Sequence, residues 1–436
     1  MTPPATRRAF LSSASTILAL SRFATSAEPV KRPRVAAVFT EFTYRSHAHV
    51  LLENFLEPYV FNGKRTNSGV DVVSFYADQK PKGEIGSAIA REYRIPIFKT
   101  INEALCLGGK ELAVDAVLAI GEHGDYPMNK LGQHEYPRKR FFDEIVAVMR
   151  RSNRFVPLFN DKHLSYRWDW AKEMADTAKS LGIPFMAGSS VPLAQRVPSF
   201  ELPAGAAITE TVSIHGGGIE SYDFHALEVL QSIIEFRKGG ETGIATVEFL
   251  TGDALWKAGD QGRWSIPLAE AALAVELGKT PATLKRVEGE EDDPPYGILL
   301  TYKDGLRATV LKIGRNSGRW NFACSIKGDP KVHATRFRIG PWRNRSLFKA
   351  LAHAIQHHIR TGKPPYPLER TLLVSGILDA SMHARAAGEA RKTPHLEFGY
   401  RPTDFTPMRE MGESWNLVTE DQPEPSGIDR TGRTLK

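Results

Sequence analysis

Residues 34–57 read RVAAVFTEFTYRSHAHVLLENFLE. Arg34 to Phe39 is an apolar run of strand length, and His47 to Glu57 is predicted as the helix that follows it. A buried strand that leads into a helix is the repeating unit of a parallel α/β sheet. The sequence therefore predicts that the folded part of the chain begins with a βα unit of this kind.

The same alternation continues as far as about residue 190. Trp168, Ala171, Ala175 and Ala178 recur with helical spacing and predict an amphipathic helix. Residues 28–190 are therefore predicted as a doubly wound, Rossmann-like domain of the α/β class. Its further strands are predicted at 70–76, 95–98, 114–120, 155–159 and 185–187, and its other helices at 85–93 and 141–151.

After Ser189 the pattern changes to longer β-type runs. Two runs, 297–302 and 306–313, flank Asp304-Gly305, a dipeptide typical of a β-hairpin turn. With a strand at 208–214 and helices at 222–236, 347–360 and 368–387, residues 191–400 are predicted as an α+β domain with a largely antiparallel sheet. Residues 401–436, rich in Pro, Gly, Glu and Arg, are expected to form a tail that wraps the surface or frays.

Composition excludes several classes of protein. With 436 residues, 42% of them hydrophobic and 25% charged, the chain is neither wholly disordered nor a polytopic membrane protein. Its 2 cysteines are too few for a disulfide scaffold or a Cys-rich zinc site. Three of the +7 net charges are Arg7, Arg8 and Arg22, and no Lys/Arg stripe follows them, so nucleic acid is not expected as a partner.

The first 27 residues have the pattern of an export signal. Thr6-Arg7-Arg8-Ala9-Phe10-Leu11 precedes a short apolar run, and Thr25-Ser26-Ala27 suits signal cleavage. The run is too short to span a bilayer, so no stable membrane insertion is expected. We predict a twin-arginine signal peptide over 1–27 and a periplasmic or extracellular destination, with an N-terminal amphipathic helix or anchor as the alternative.

Seven segments of the chain form a recognisable series in order and spacing: Val35 to Val38, Ser46-His47-Ala48, Ala90 to Pro96, Asp115 to Ile120, Asn160 to Leu164, Phe348 to Asp379, and, within the last of these, Thr361-Gly362-Lys363-Pro364-Pro365. Together they resemble the Gfo/Idh/MocA family of sugar-directed oxidoreductases. The resemblance covers residues 34–400 and implies a small-molecule carbohydrate substrate, NAD or NADP as cofactor, and a catalytic lysine at Lys162, and it is compatible with a homo-oligomer.

The chain departs from this family where a dinucleotide would bind. The first turn of a dinucleotide fold needs Gly-x-Gly-x-x-Gly, but Phe39 to Tyr44 contains no glycine. Glu41 would also face the phosphates, and like charges about 4 Å apart repel by about 4 kcal/mol at an effective dielectric of about 20. Asp78 still matches the acid that holds a ribose hydroxyl, and Thr40 and Glu122 are the other expected cofactor contacts.

Candidate catalytic residues gather at the predicted carboxyl ends of the strands, where open α/β sheets bind ligands. Lys162 is the expected acid/base, the alternative being a surface lysine at a helix start. His225 aligns with the family's histidine and could relay a proton or simply cap its helix. The aspartate that accompanies this histidine in the family is here Ser221, with Asp223 close by. His123 and Asp223 complete the predicted catalytic set.

A metal ion is a weaker possibility at the same edge. His123, Asp125, Asp161 and His163 could supply a mixed nitrogen and oxygen site, although loop residues of these types are more often solvated or hydrogen-bonded. The sequence thus predicts an exported sugar oxidoreductase of the Gfo/Idh/MocA type. Two alternatives stay open: a dinucleotide-independent carbohydrate lyase or hydrolase, with or without a bound metal, and a non-catalytic sugar-binding protein.

Overall fold

Strands and helices alternate along the first half of the chain, as the sequence predicts. A computed structural model describes residues 31–290, 293–422 and 427–434, so the predicted export signal lies outside the described residues. The elements are β1 (Arg34–Phe39), α1 (His47–Leu56), β2 (Tyr59–Phe61), β3 (Lys64–Thr66), β4 (Asp71–Ala77), α2 (Gly86–Glu92), β5 (Ile97–Phe98), α3 (Ile101–Cys106), β6 (Ala116–Ile120), α4 (Arg138–Arg151), β7 (Leu158–Asp161), α5 (Trp168–Leu181) and β8 (Phe185–Gly188).

Six of these strands form one parallel sheet in the order β5-β4-β1-β6-β7-β8. The β1 strand lies at its centre, and Val35 to Val38 are completely buried because helices cover both faces. The strand predicted at 155–159 begins only at Leu158, since Pro157 has no N–H to donate to the sheet. The short β2–β3 hairpin stands apart from this sheet and was not expected from the sequence.

The second half contains a larger sheet of eight strands, ordered β16-β11-β12-β13-β10-β14-β15-β9. Its pairs are antiparallel except for β10 and β13, which confirms the predicted, largely antiparallel α+β architecture. The elements are β9 (Gln195–Val197), β10 (Ile208–His215), α6 (Ser221–Ile234), β11 (Ile244–Thr251), α7 (Gly252–Asp260), α8 (Ile266–Leu277), β12 (Tyr296–Tyr302), β13 (Arg307–Lys312), β14 (Trp320–Ile326), β15 (Val332–Arg338), α9 (Asn344–Thr361), α10 (Leu368–Ala387) and β16 (Arg391–Lys392).

Helices join the two sheets within one compact unit, Pro33–Lys436. On α1, Glu53 forms a buried ion pair with Arg345 of α9, and on α6 the residue after the last turn, Glu235, pairs with Arg370 of α10. The chain after residue 400 contributes Phe405 and Ile428 to the buried core. The proposed domain boundaries at 190 and 400 remain predictions.

None of the helices in the described ranges is both long enough and apolar enough to cross a membrane.

Candidate active site

A cleft of about 480 Å³ opens at the carboxyl ends of the parallel strands, between this edge and the second sheet. Its volume lies within the roughly 300–1,000 Å³ typical of small-molecule sites. The walls come from the loops after β1, β6 and β8, the start of α1, α6 and α9, and the loop between β13 and β14. Lining residues used below are Arg45, His47, Glu122, His123, Lys162, Ser190, Ser221, Tyr222, His225, Trp320, Arg343, Asn344 and Phe348.

Lys162 lies at the floor of the cleft and is almost completely buried, with only 4% of its surface exposed, so it is not a surface lysine. It follows β7 directly and has a positive φ of 64°. Its Nζ donates to Glu122 Oε1 at 2.7 Å and to Ser221 Oγ at 3.1 Å. The lysine thus connects the end of the first sheet with the start of α6.

Glu122 is held between two cations. Its other carboxylate oxygen accepts from Arg138, whose second guanidinium nitrogen lies 3.0 Å from His163 Nε2. Burial alone would raise the pKa of Glu122, but Lys162 and Arg138 hold that pKa well below its usual range. Burial and Arg138 together lower the pKa of His163 far below that of a free imidazole. The network therefore contains a charged carboxylate, two cations and a neutral histidine at pH 7.

Two further histidines face the cleft from the loop edge. His47 is the first residue of α1, and its Nδ1 lies 2.5 Å from Asp161 Oδ2. The centre of its ring lies 4.9 Å from that of His123. Burial, followed by the nearby His47, lowers the pKa of His123 to about 4. His123 is therefore neutral at pH 7, and Asp161 orients His47.

His225 lies on the opposite wall. Its Nδ1 is 2.6 Å from Ser189 Oγ, which also accepts from the backbone N–H of Val191. Burial and the nearby Lys162 lower the pKa of His225 well below its usual value. The neutral ring packs edge-on against Trp320 at 5.4 Å, which leaves it fixed beside Lys162.

Asp223, expected among the catalytic residues, lies beneath the cleft and is completely buried. It accepts from His215 at 2.9 Å, from Tyr296 at 3.0 Å and from the backbone N–H of Glu220 at 2.7 Å. The last contact is one half of a capping box at the start of α6. The structure thus separates Asp223 from Lys162, His225 and His123, which do line the cleft together.

An aromatic wall limits the cleft on the side of the second sheet. The rings of Tyr222 and Trp320 stack nearly parallel, 5.3 Å apart, and Phe348 lies across from them beside His47. A Cβ at Gly217 would lie 1.8 Å from the Tyr222 ring, so only glycine allows the ring this position. Flat aromatic surfaces next to fixed polar groups suit a ligand with both C–H faces and hydroxyl groups.

The position of a dinucleotide pyrophosphate is filled by protein. Phe42 is 1% exposed and packs against Phe39 and Phe75. The backbone N–H groups at the start of α1 have internal partners, since that of His49 donates to Ser46 Oγ and that of His47 to His123 Nδ1. Because a pyrophosphate binds to such free N–H groups, the first turn does not fit it.

The two loops that flank the end of β1 are hydrogen-bonded to each other. Gln79, after β4, donates to the carbonyl of Asp125 and accepts from its backbone N–H, at 2.9 and 2.8 Å. Asp78 accepts from Tyr76, Tyr126 and Arg140 at 2.6–2.7 Å, and although burial opposes it, these donors lower the pKa of Asp78. The carboxylate expected to hold a ribose is thus fully engaged within the protein.

The other expected cofactor contacts are engaged as well. Thr40 is completely buried and donates to the carbonyl of Glu122 at 2.6 Å. With the filled first turn and the bridged loops, these contacts show that the residues present do not fit a dinucleotide in the orientation typical of this fold.

The four candidate metal ligands are not brought together. Asp125 is exposed, Asp161 binds His47, and Arg138 lies against the Nε2 of His163. Across the described ranges, no group of three or more His, Cys, Asp or Glu side chains has an arrangement that could hold a metal ion.

Sequence reasoning missed several residues of the cleft. The resemblance included His47 but gave it no role, and Ser190, Trp320 and Arg343 carried no motif at all. These residues come from four separate parts of the chain, so only the tertiary structure places them beside Lys162. The pairing of His47 with Asp161 could have been suspected, because both residues lie at the carboxyl edge of the parallel sheet, although β6 separates their strands, β1 and β7.

Comparison with known proteins shows the fold. No family model and no curated protein sequence matches the chain. Among solved structures, GenD2 from gentamicin A biosynthesis in complex with NAD is 12% identical, with a TM-score of 0.53 over 83% of this chain and 97% of that chain. A myo-inositol dehydrogenase from Lactobacillus casei in complex with NAD(H) and myo-inositol is also 12% identical, with a TM-score of 0.52 over 83% and 97%.

A third similar structure is an oxidoreductase from Agrobacterium radiobacter in complex with NAD+, L-tartaric acid and magnesium, 10% identical, with a TM-score of 0.51 over 84% of this chain and 100% of that chain. The chain therefore shares the fold of inositol and sugar dehydrogenases of the Gfo/Idh/MocA type, as its sequence segments predict. At this level of identity the likeness concerns the fold alone.

Proposed function

We propose that this chain, which shares the fold of the inositol dehydrogenases, is an enzyme that acts on a sugar or polyol, with Lys162 as its acid/base. The observation that carries the proposal is the position of the Lys162 amine. It is buried at the floor of a ligand-sized cleft, 2.7 Å from Glu122 and 3.1 Å from Ser221. A buried, positioned amine of this kind suits proton transfer to or from a substrate oxygen or carbon.

The surrounding residues support proton transfer. Glu122 and Arg138 keep Lys162 in place, and the hydroxyl of Ser221 gives the amine a second contact that a substrate oxygen could replace. His123 and His225 are neutral at pH 7 because burial lowers the pKa of each, so both can hydrogen-bond to substrate hydroxyl groups without adding charge to the site. The Tyr222–Trp320 wall offers a surface for the C–H face of a sugar ring.

The filled dinucleotide position distinguishes between two types of reaction. Oxidation of a hydroxyl releases a proton and a hydride, and the hydride needs an acceptor. Elimination breaks a C–H and a C–O bond, and hydrolysis adds water across the C–O bond that breaks, so neither reaction needs a hydride acceptor. Because Phe42, Asp78 and the Gln79–Asp125 contact occupy the dinucleotide path, we infer a dinucleotide-independent lyase or hydrolase. The second candidate, an NAD(P)-dependent oxidoreductase, is favoured by the likeness to NAD-bound structures.

Two measurements test this proposal. Calorimetric titration with NAD(H) and NADP(H) to millimolar concentration should show no binding, and binding would favour the oxidoreductase. On a panel of glycosides, sugar acids and polyols, Lys162→Ala should lower kcat by about 10²- to 10⁴-fold, the usual contribution of an acid/base. Lys172→Ala, an exposed lysine paired with Asp176, is the control and should leave kcat unchanged.

The remaining outcomes are also distinct. Full activity in a folded Lys162→Ala variant would overturn the acid/base role. Sugar binding that survives this substitution, with no turnover of any substrate, would instead identify a non-catalytic binding protein.

We also propose that residues 1–27 direct export by the twin-arginine route. The proposal rests on Arg7-Arg8 and the small residues before Ala27. Mass spectrometry of the protein released from the periplasm should find an N-terminus near Glu28, and an intact Met1 would contradict it.

A further inference from the structure

We propose that the substrate of this cleft carries an anionic group, a carboxylate or a phosphate, so that the preferred ligand is an acidic sugar rather than a neutral one. The inference rests on the proposed function, because it names the substrate class of the same site.

The first observation is the balance of charge around the cleft. Lys162 and Arg343 contribute two cations to its walls, and Arg138 lies directly beside them. Within the described ranges, Glu122 is the one carboxylate among the lining residues, and it is already held between Lys162 and Arg138. Arg343 is exposed, and no ion pair joins its guanidinium to another described residue. The guanidinium of Arg343 is therefore a positive charge at the cleft that Glu122 does not neutralise.

The second observation is the direction of helix α9. Its first residue, Asn344, lines the cleft next to Arg343. The N-terminus of a helix is equivalent to a charge of roughly +0.5, so this end reinforces the charge of Arg343. The first turn of α9 contains no acidic residue and has no side-chain cap, whereas the starts of α1 and α6 are already bound within the protein.

The third observation is a hydroxyl without a partner. Ser190 lines the same cleft, is only 1% exposed, and its Oγ makes no hydrogen bond to any described residue. A buried hydroxyl left unpaired costs about 1–3 kcal/mol, which a ligand oxygen at the cleft would recover. It lies close along the chain to Ser189, the partner of His225, so an oxygen that reaches it also lies near the proposed acid/base groups.

The loop carrying Arg343 is also held in an unusual conformation. Arg343 has φ 55° and ψ −127°, and Arg45 has φ 67°. Asn344 donates to the carbonyl of Arg45 at 2.9 Å and so joins the two arginine-bearing loops. This contact holds the loop that carries Arg343 at the rim of the cleft, where a guanidinium can bind the oxygens of a carboxylate or phosphate.

Calorimetric titration of the full chain with D-glucuronate, D-glucose 6-phosphate and D-glucose at low and high salt tests the inference. The better anionic sugar should bind about tenfold or more tightly than D-glucose, with a preference that falls at high salt. Arg343→Gln should remove most of this preference without changing the affinity for D-glucose, and Arg343→Lys should retain it. Arg91→Gln, an exposed arginine of α2, is the matched control.

Each outcome has a separate meaning. Binding of D-glucose as tight as that of both anions, or equal effects of Arg343→Gln and Arg91→Gln, would overturn the inference and leave the proposed function intact. No binding of any carbohydrate, charged or neutral, in this titration and across the activity panel would overturn the proposed function itself. The relative affinities of glucuronate and glucose 6-phosphate show whether carboxylate or phosphate is the preferred group.

Discussion

At the scale of single residues, backbone strain is concentrated at the cleft. Left-handed conformations cost non-glycine residues roughly 1–2 kcal/mol each and persist only where the surroundings enforce them. Nine non-glycine residues in the described chain have positive φ, and five of them line the cleft or lie directly beneath it. These five are Arg45, His123, Lys162, Glu220 and Arg343. This clustering supports the cleft as the functional site independently of its chemistry.

Glu220 is the most unusual of these residues. Its φ of 65° and ψ of −65° place it at the centre of a γ-turn, closed by the N–H of Ser221 and the carbonyl of Ile219 at 2.8 Å. Burial, followed by the negative charge of Glu122, raises the pKa of Glu220 to about 7. Its Oε1 has no hydrogen-bond partner among the described residues. The folded protein therefore favours the protonated form of this carboxyl.

The raised pKa predicts a particular pH dependence of stability. Between pH 4.5 and pH 7 the folded state keeps a proton on Glu220 that the unfolded state has lost, so this group's contribution to stability falls as pH rises through that window. Glu220→Gln imitates the protonated form and should abolish this contribution. As the pH rises through that window, the free energy of unfolding of the variant, measured in urea, should therefore increase relative to that of the unsubstituted protein, by at most about 1.4 kcal/mol per pH unit.

The measurement is a comparison of the two proteins at pH 5, 6, 7 and 8. Curves that run parallel over this range would contradict the raised pKa.

At the scale of elements, the first turn of α6 contains two residues that line the cleft and one residue that holds the helix start in place. Its first turn presents Ser221 and Tyr222 to the cleft, whereas Asp223 points down to His215, Tyr296 and the backbone of Glu220. Sequence proximity to His225 suggested a catalytic role for Asp223. The structure instead gives it three hydrogen bonds that hold the helix start in place.

This placement predicts the effect of Asp223→Asn. Replacing one acceptor oxygen by an amide should weaken the contacts to His215 or Glu220 and lower the free energy of unfolding by about 1–3 kcal/mol. Chemical denaturation measures this loss, and kcat should fall far less than in Lys162→Ala. Asp253→Asn in the exposed first turn of α7 is the control, with a change of at most about 1 kcal/mol. A loss of kcat equal to that of Lys162→Ala, with stability unchanged, would restore the catalytic role.

At the scale of the whole molecule, the end of the chain belongs to the core. Ile428 is completely buried, and its carbonyl lies 2.9 Å from His49 Nε2 on α1. Arg430 covers the ring of Tyr44, and Thr434 contacts the hydroxyl of Tyr93. Residues 427–434 thus pack against α1, α2 and the loop after β1, the same loop that forms part of the cleft.

Ile428→Ala should accordingly destabilise the whole molecule. Removal of a buried isoleucine side chain costs about 2–5 kcal/mol, so urea denaturation should give a free energy of unfolding that is lower by about this amount. Leu417→Ala changes a side chain that is 54% exposed and should shift the free energy of unfolding by at most about 0.5 kcal/mol. Equal and small effects in both variants would show that the end of the chain adds nothing to the fold.

Local patterns in the sequence were enough to predict the order of strands and helices. Apolar runs located β1 and α10 at their observed bounds, helical spacing identified α5, and Asp304-Gly305 located a hairpin, because these signals depend on neighbouring residues only. The same reasoning placed Lys162 and His123 at the sheet edge. The predicted start of β7 was wrong by three residues, because Pro157 has no N–H with which to continue the hydrogen bonding of the sheet.

The sequence by itself therefore determined the architecture, the absence of the dinucleotide glycines and the position of Lys162 at the edge of the parallel sheet. Only the tertiary structure decided that Tyr126 and Arg140 donate to Asp78, that Asp161 binds His47, and that Arg343 and Trp320 line the cleft. The physical reason is that a side chain's partners are set by which groups fill the space around it. Those groups come from residues tens to hundreds of positions away, beyond the reach of any local pattern.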